Sequence, residues 1–115
     1  MALRVLIVDD NASFRSLARR LLVSGGMEVV GEAATGHGAL SAVLRERPDV
    51  VLLDIGLPDL DGFVVCERLR ALDLPVVLCS VRTPHGDRVA GSGAVGFLAK
   101  ERLSADELAR LLLDR

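Results

Sequence analysis

The sequence has no tryptophan and no tyrosine, only three phenylalanines and only two cysteines. Cys66 and Cys79 have neither the spacing nor the context of a disulfide or a metal site, and Cys79 lies in an apolar run where a thiol behaves as a small hydrophobe. No run approaches the ~18 consecutive apolar residues of a membrane span. A strand-like run begins directly at the N-terminus and leaves no room for a signal peptide. We therefore predict a cytoplasmic protein with no membrane partner.

A basic surface is also lacking. The formal net charge is -2 and the isoelectric point is near 5.6. The arginines come in small groups, which we interpret as the solvated faces of helices; these are Arg19 with Arg20, Arg45 with Arg47, and Arg68 with Arg70. Without a basic stripe, direct binding to nucleic acid is not expected.

Lysine is nearly absent, since Lys100 is the only lysine beside thirteen arginines. Arginine would serve for any surface charge, but its wide planar fork cannot replace a compact ammonium that must touch a single oxygen. Lys100 closes the run 93–100, which has the pattern of a turn, a short strand and a polar end. We therefore predict a specific role for this one side chain.

The chain has abundant core-forming sequence. Half of its 115 residues are apolar, and a chain of this length buries roughly two-thirds of the surface of its unfolded state. There are no repeats, linkers or low-complexity tracts. The whole sequence, 1–115, is therefore expected to form a single domain.

Apolar, β-branched runs alternate with segments of helical period. The runs predict strands at 3–8, 28–33, 50–53, 75–79 and 96–98. Helices are predicted at 14–22, 38–47 and 62–72, and from a capping box at Ser104 and Glu107 to about residue 113. The second strand is the least apolar and is therefore placed at a sheet edge. Strict alternation predicts a doubly wound α/β fold, a parallel sheet with helices on both faces.

The segment 84–93 is the weakest part of this prediction. The alternating pattern requires a helix there, but Gly86, Gly91 and Gly93 each cost ~1 kcal/mol relative to alanine inside a helix. We expect a short, frayed helix. The last helix ends in the three leucines 111–113, which cannot all face the core.

Polar residues follow the predicted strands. Asp9 and Asp10 end the first, Asp54 ends the third, Ser80 ends the fourth, and Lys100 follows the fifth. Each has an ordinary structural interpretation when taken singly, since Asp10 or Asn11 could simply cap the first helix. In open parallel sheets, however, ligands bind at the carboxyl ends of the strands. All five residues fall on that edge, which predicts one site.

Three neighbouring carboxylates repel one another by roughly 3 kcal/mol per pair at an effective dielectric of 20. Either one of them is protonated or a cation neutralises the group, and a hard cation with oxygen ligands points to Mg²⁺. A carboxylate beside Mg²⁺, a lysine and a hydroxyl suits phosphoryl transfer to an aspartate. One of the carboxylates would attack phosphorus and become an aspartyl phosphate, with Lys100 and Ser80 on the phosphoryl oxygens.

These residues carry a resemblance over essentially the whole chain. Residues 8–10 (VDD), 54–62 (DIGLPDLDG), Ser80 and 96–100 (GFLAK) resemble the motifs of the receiver domain of two-component response regulators. Residues 28–33 (EVVGEA) further resemble the subgroup that is usually fused to a C-terminal helix-turn-helix domain. The resemblance implies a five-stranded, flavodoxin-like sheet of order 2-1-3-4-5. No output domain is expected within this sequence.

The resemblance also implies a role for each residue of the site. Asp54 would accept a phosphoryl group from a sensor histidine kinase, a phosphotransfer protein or a small phosphodonor. Mg²⁺ would be held by Asp9, Asp10, Asp54 and the backbone carbonyl of Gly56. Ser80 would move to the phosphoryl group and Phe97 would turn inward. The face formed by the fourth helix, fifth strand and fifth helix would then differ between the phosphorylated and the unphosphorylated forms.

Some positions set this chain apart from the family. By the same resemblance, Gly56 and Arg82 would flank the acyl phosphate and tune its lifetime, and the small Gly56 predicts a short-lived phosphorylated form. Val81 stands where the family often has alanine, and could narrow access to Asp54. The last helix could dock an effector partner or a second copy of the chain.

Other functions were weighed against this one. A phosphate-independent interaction module of the same fold is disfavoured by the complete set of site residues, although Val81 and the weak fourth helix favour it. A flavodoxin-like cofactor binder would need a hydroxyl- and glycine-rich loop after the first strand, where Asp9 and Asp10 would repel a phosphate. A phosphatase acting on external substrates would need a second acid at the position of Gly56. We therefore predict a self-phosphorylating signalling domain rather than an enzyme on external substrates.

Overall fold

The computed structural model describes residues 2–81 and 86–113. Within these residues the strands are β1 (Arg4–Val8), β2 (Glu28–Ala33), β3 (Val50–Asp54), β4 (Val76–Ser80) and β5 (Gly96–Ala99). The helices are α1 (Ala12–Ser24), α2 (Gly36–Glu46), α3 (Gly62–Arg70), α4 (Gly86–Gly91) and α5 (Ala105–Leu113), and a 3-10 turn (Lys100–Arg102) follows β5. No helix of the described chain is long and apolar enough to cross a membrane.

The strands form one parallel sheet in the order β2-β1-β3-β4-β5. This confirms the predicted fold class, the strand order and the edge position of β2. The reason lies in the sequence of the strands. β3 is buried along its whole length, whereas β2 is mostly half-buried, because an edge strand has a neighbour on one side only.

Helices cover both faces of the sheet. On one face, α2 and α3 pack on Leu6, Leu53 and Leu78, and α4 adds Val89. On the other, α1 and α5 contribute Leu22 and Leu108, which pack against the alternate residues of the same strands. Successive strand residues point to opposite faces, so an unbroken apolar strand feeds both cores.

Short polar side chains decide where the helices begin. Asn11 caps α1, since its Oδ1 accepts a hydrogen bond from the Phe14 amide at 3.0 Å. Thr35 caps α2, since its hydroxyl accepts a hydrogen bond from the Gly38 amide at 2.9 Å. As a result, α2 begins two residues before its predicted start. With Asn11 serving as the cap, Asp10 remains available for the site.

The last two helices match the predictions in part. α4 is a six-residue helix, shorter than the predicted 84–93, whose first two positions lie outside the described residues. At the start of α5 the Ser104 hydroxyl accepts a hydrogen bond from the Glu107 amide at 3.1 Å. This is one of the two hydrogen bonds that make up the predicted capping box. The Glu107 carboxylate pairs with Arg110 at 2.7 Å. Leu113 is 84% exposed, as expected for three consecutive leucines.

Candidate functional site

The predicted site residues meet at one edge of the sheet because the strands are parallel and in register. Val8 pairs with Leu53, so Asp9 and Asp54 follow side by side at the ends of β1 and β3. Ser80 pairs with Ala99 at the ends of β4 and β5. Lys100 comes next and begins the 3-10 turn. The structure therefore brings the predicted acidic residues and Lys100 together at this edge.

The three carboxylates form a compact cluster. One oxygen from each of Asp9, Asp10 and Asp54 lies within 4.8 Å of the other two. Asp9 is 1% exposed and Asp54 7%, while Asp10 is exposed to solvent. The cluster is therefore open on the Asp10 side and closed towards the core.

Backbone amides orient the two buried carboxylates. Asp9 Oδ1 accepts a hydrogen bond from the Asn11 amide at 2.9 Å. Asp54 Oδ1 accepts a longer bond, 3.3 Å, from the amide of Gly56. Each bond spans two residues, so the loop that follows each strand folds back on its own aspartate and leaves the second oxygen of the carboxylate for another partner.

Lys100 supplies the positive charge of the cluster. Its Nζ lies 2.6 Å from Asp9 Oδ2 and 3.9 Å from Asp54 Oδ2, and the side chain is only 15% exposed. Burial lowers the pKa of Lys100, but the contact with Asp9 and the charge of Asp54 outweigh burial and raise it overall. Lys100 is therefore a charged ammonium at neutral pH.

The pKa of Asp54 is raised above its ordinary value, chiefly because the group is buried and next because Asp9 is negatively charged. Lys100 and the Gly56 amide act in the opposite direction, but they do not cancel these effects. One lysine is therefore insufficient to neutralise the cluster, in agreement with the charge argument from the sequence.

The donor set fits Mg²⁺. Asp9 Oδ2 is a buried oxygen that accepts no hydrogen bond of good geometry from the described residues. Its close contact is with the Lys100 ammonium, 2.6 Å away. A buried, incompletely satisfied carboxylate oxygen beside two further carboxylates is the all-oxygen environment that Mg²⁺ prefers, with the exposed side left for water.

The loop between β3 and α3 is held by contacts that the sequence did not indicate. Asp59 Oδ1 accepts a hydrogen bond from the Gly36 amide at 2.7 Å. Its Oδ2 accepts a hydrogen bond from the His37 amide at 3.0 Å and also lies 2.6 Å from His37 Nδ1. Asp59 thus binds the N-terminus of α2. The hydrogen bonds from these two amides hold the pKa of Asp59 well below its ordinary value, and the bond from the His37 amide has the larger effect.

The same loop contains two glycines in opposite surroundings. A Cβ added to Gly56 would meet no atom within 4 Å, so the space beside Gly56 is open. A Cβ added to Gly62 would lie 2.6 Å from Ile55 Cα and 2.7 Å from the carbonyl oxygen of Asp54. Gly62 is therefore required for the loop to close on the strand, whereas Gly56 faces open space.

The remaining predicted residues differ in their exposure. Ser80 is half-buried at the end of β4, and Phe97 is half-buried against the core beneath α2 and α3. Val81 is 78% exposed, so its side chain points largely into solvent. Arg82 lies outside the described residues.

Two aromatic contacts also escaped the sequence analysis. The Arg88 guanidinium of α4 lies 4.1 Å from the centroid of the Phe63 ring and pairs with Asp61 at 3.0 Å. Lys100 Nζ lies 4.4 Å from the centroid of the Phe14 ring. The rarity of aromatic residues in this chain was the one signal that could have drawn attention to them.

Both cysteines are buried away from solvent. Cys79 is buried, and burial raises the pKa of its thiol to about 12. Cys66 is buried as well, and burial raises the pKa of its thiol above the ordinary value. Both are free thiols, as expected from the sequence. Since the thiolate is the nucleophile, the chemistry of the site belongs to its carboxylates.

The sequence is similar to those of known proteins. Residues 5–112 match the family model of the response regulator receiver domain. The response regulator MprA of Mycolicibacterium vanbaalenii is 39% identical over 115 residues, which cover 96% of this chain and 49% of that protein. The chain spans about half the length of the curated relatives it matches.

Solved structures agree. The signal receiver domain of NarL from Mycobacterium tuberculosis superimposes with a TM-score of 0.83 at 36% identity, covering 98% of this chain and 94% of that one. The chemotaxis response regulator CheY4 of Vibrio cholerae gives 0.81 at 26% identity, covering 99% and 98%. Fold, sequence and acidic cluster lead to the same result: the chain belongs to the receiver domains of response regulators, the signalling modules of phosphorylation-dependent two-component systems.

Proposed function

We propose that this single receiver domain is switched by phosphorylation of Asp54. The observation that carries the proposal is the meeting of Asp54 with Asp9, Asp10 and Lys100 at an open edge of the sheet. The aspartate is oriented by one amide and faces a cation, while the side of the cluster at Asp10 is open to solvent. This is the geometry that an in-line attack on phosphorus needs.

In the proposed reaction, a carboxylate oxygen of Asp54 attacks the phosphorus of the donor. A new P–O bond forms as the bond to the leaving group breaks, and the leaving group takes the electron pair. It departs as the imidazole of a kinase or phosphotransfer histidine, or as acetate when acetyl phosphate is the donor. Attack by water on the acyl phosphate later releases inorganic phosphate and restores the carboxylate.

Asp9, Asp10, Asp54 and the backbone carbonyl of Gly56 are the proposed ligands of Mg²⁺. When bound, the ion would neutralise the carboxylates and the charge of the phosphoryl oxygens. Lys100 would bind a phosphoryl oxygen from its place between Asp9 and Asp54, and the Ser80 hydroxyl would donate to another. Ser80 ends β4, the strand next to β3, and Lys100 follows β5 with its Nζ 3.9 Å from Asp54 Oδ2, which supports these roles.

The output is proposed to run through Ser80 and Phe97. Movement of the Ser80 hydroxyl towards the phosphoryl group would vacate space that the half-buried Phe97 ring could fill, which would alter the face formed by α4, β5 and α5. Leu113, exposed at the end of α5, is the proposed contact for an effector or a second copy. Gly56, with open space beside it, and Arg82 would set the lifetime of the acyl phosphate.

The direct test is the intact mass of the protein after incubation with Mg²⁺ and acetyl phosphate. We expect one phosphoryl group to be gained by the wild type, and none without Mg²⁺ or in an Asp54→Ala variant. Decay of the mass shift would measure the lifetime, which we expect to be short. A wild type that binds Mg²⁺ but gains no mass would contradict the proposal and favour a phosphate-independent interaction module.

A further inference from the structure

An aromatic ring lies against the only lysine of the chain. Phe14, in the first turn of α1, presents its ring face to Lys100, with Nζ 4.4 Å from the ring centroid. Phe14 is half-buried and packs against the core on the α1 and α5 side of the sheet. The contact joins the first helix to the end of the last strand across the site.

Three groups therefore surround one ammonium. Asp9 Oδ2 is 2.6 Å from Nζ, Asp54 Oδ2 is 3.9 Å away, and the Phe14 ring approaches from α1. A lysine side chain has a flexible four-carbon stem, so its charged end must be held by contacts of its own. A cation over an aromatic face within ~6 Å is attracted by the ring, and more strongly when the pair is shielded from water. Lys100 is so shielded, since its side chain is only 15% exposed.

From this geometry we infer that Phe14 is a positioning residue for Lys100, whose ring keeps the ammonium between Asp9 and Asp54. The inference rests on the proposed function, in which Lys100 binds a phosphoryl oxygen. An aromatic ring suits the task because it attracts the cation without adding a fourth negative charge to the cluster. Because a ring is not a ligand for a hard cation, it would keep its hold on Lys100 where Mg²⁺ competes for Asp9.

An aliphatic residue at position 14 would fill the same space but would not hold the charge. We therefore expect Phe14→Leu to slow phosphorylation by acetyl phosphate about five-fold, the effect of losing about 1 kcal/mol of cation–π attraction at 1.4 kcal/mol per tenfold. Phe14→Tyr keeps the aromatic face and should restore a rate near that of the wild type. Far-UV circular dichroism melting would show that both variants remain folded.

Because Lys100 is the only lysine, protein labelled with ¹³C-lysine gives a single side-chain spin system. Its ε-methylene protons should be shifted upfield by the Phe14 ring in the metal-free protein. The upfield shift should persist in Phe14→Tyr and disappear in Phe14→Leu, while Lys100→Arg, which removes the signal, confirms the assignment. This measurement requires neither phosphate nor Mg²⁺.

The two measurements separate the possible results. An ε-methylene shift that is the same in wild type and Phe14→Leu would overturn the ring contact. A shift that disappears in Phe14→Leu without any change in phosphorylation rate would overturn the positioning role. A wild type that shows the upfield shift but gains no phosphate would refute the proposed function and leave the placement of Lys100 by the ring supported.

Discussion

Replacing Asp54 by asparagine should stabilise the metal-free protein. The substitution removes a buried negative charge but keeps the size of the side chain and the Oδ1 atom that accepts the Gly56 amide. We expect the free energy of unfolding to rise by about 1–2 kcal/mol in the absence of divalent ions. This gain would come at the cost of the proposed phosphoacceptor.

The magnitude follows from the charges around Asp54. A carboxylate oxygen of Asp9 within 4.8 Å repels that of Asp54 by about 3.5 kcal/mol at an effective dielectric of 20. Lys100 Nζ at 3.9 Å attracts it by about 4 kcal/mol on the same basis. These two effects nearly cancel. Burial of the charge and the further repulsion by Asp10 decide the sign, and both destabilise the ionised group.

Urea unfolding followed by far-UV circular dichroism is the suitable assay. Urea is uncharged and does not screen the cluster as a salt would, and a chain without tryptophan or tyrosine offers little intrinsic fluorescence. In EDTA the Asp54→Asn variant should unfold at higher urea than the wild type. Mg²⁺ at ten times its dissociation constant should then stabilise the wild type by about 1.4 kcal/mol, and the variant by less.

A carboxylate outside the cluster serves as the control. Asp106 is exposed in the first turn of α5, where a negative charge is worth about 0.3–1 kcal/mol near the helix N-terminus. Asp106→Asn should therefore lower stability slightly rather than raise it. If Asp54→Asn were no more stable than the wild type in EDTA, or if Mg²⁺ stabilised both proteins equally, the electrostatic account of the site would be refuted.

Three further predictions use matched positions. Gly62→Ala should lower the free energy of unfolding by about 1–3 kcal/mol, because its Cβ would meet the backbone of Ile55. Gly56→Ala should raise it by about 0.5 kcal/mol and slow dephosphorylation. Chemical unfolding measures the stabilities, and decay of the mass shift measures the dephosphorylation rate. Asp59→Ala should destabilise the protein above pH 3.8, and the difference in stability from the wild type should shrink as pH falls. The reason is that the pKa of Asp59 is lowered in the folded protein, so its stabilising effect is lost when the carboxylate is protonated. Urea midpoints of both proteins measured against pH test this. Leu108→Ala should cost about 2–5 kcal/mol, while Leu113→Ala should change stability by less than about 0.5 kcal/mol; equal losses in thermal melts would contradict the packing assigned to α5.

The fold was accessible from sequence because its strands are short apolar runs between helices of clear period. Parallel pairing then places each strand's carboxyl end at the same edge. Asp9, Asp54 and Lys100 therefore fall at one edge of the sheet whatever the details of helix packing. The weaker predictions concerned helix ends, which depend on single capping residues such as Thr35.

Contacts between non-consecutive elements were not accessible in this way. Asp59 binds the amides of α2, 22 and 23 residues away in the chain, and Phe14 meets a lysine that follows β5. No local pattern encodes such pairs, because they depend on helix placement and on the rotamers that packing selects.

The sequence by itself determined the class of fold, the edge that carries the site and the chemical types of the residues in it, because periodicity and strand ends are local properties of the chain. Tertiary structure alone decided that Lys100 lies against Asp9, that an aromatic ring holds it, and that Gly56 is open while Gly62 is enclosed. Those features depend on distances of a few ångströms between elements far apart in the chain, which only the packed core sets.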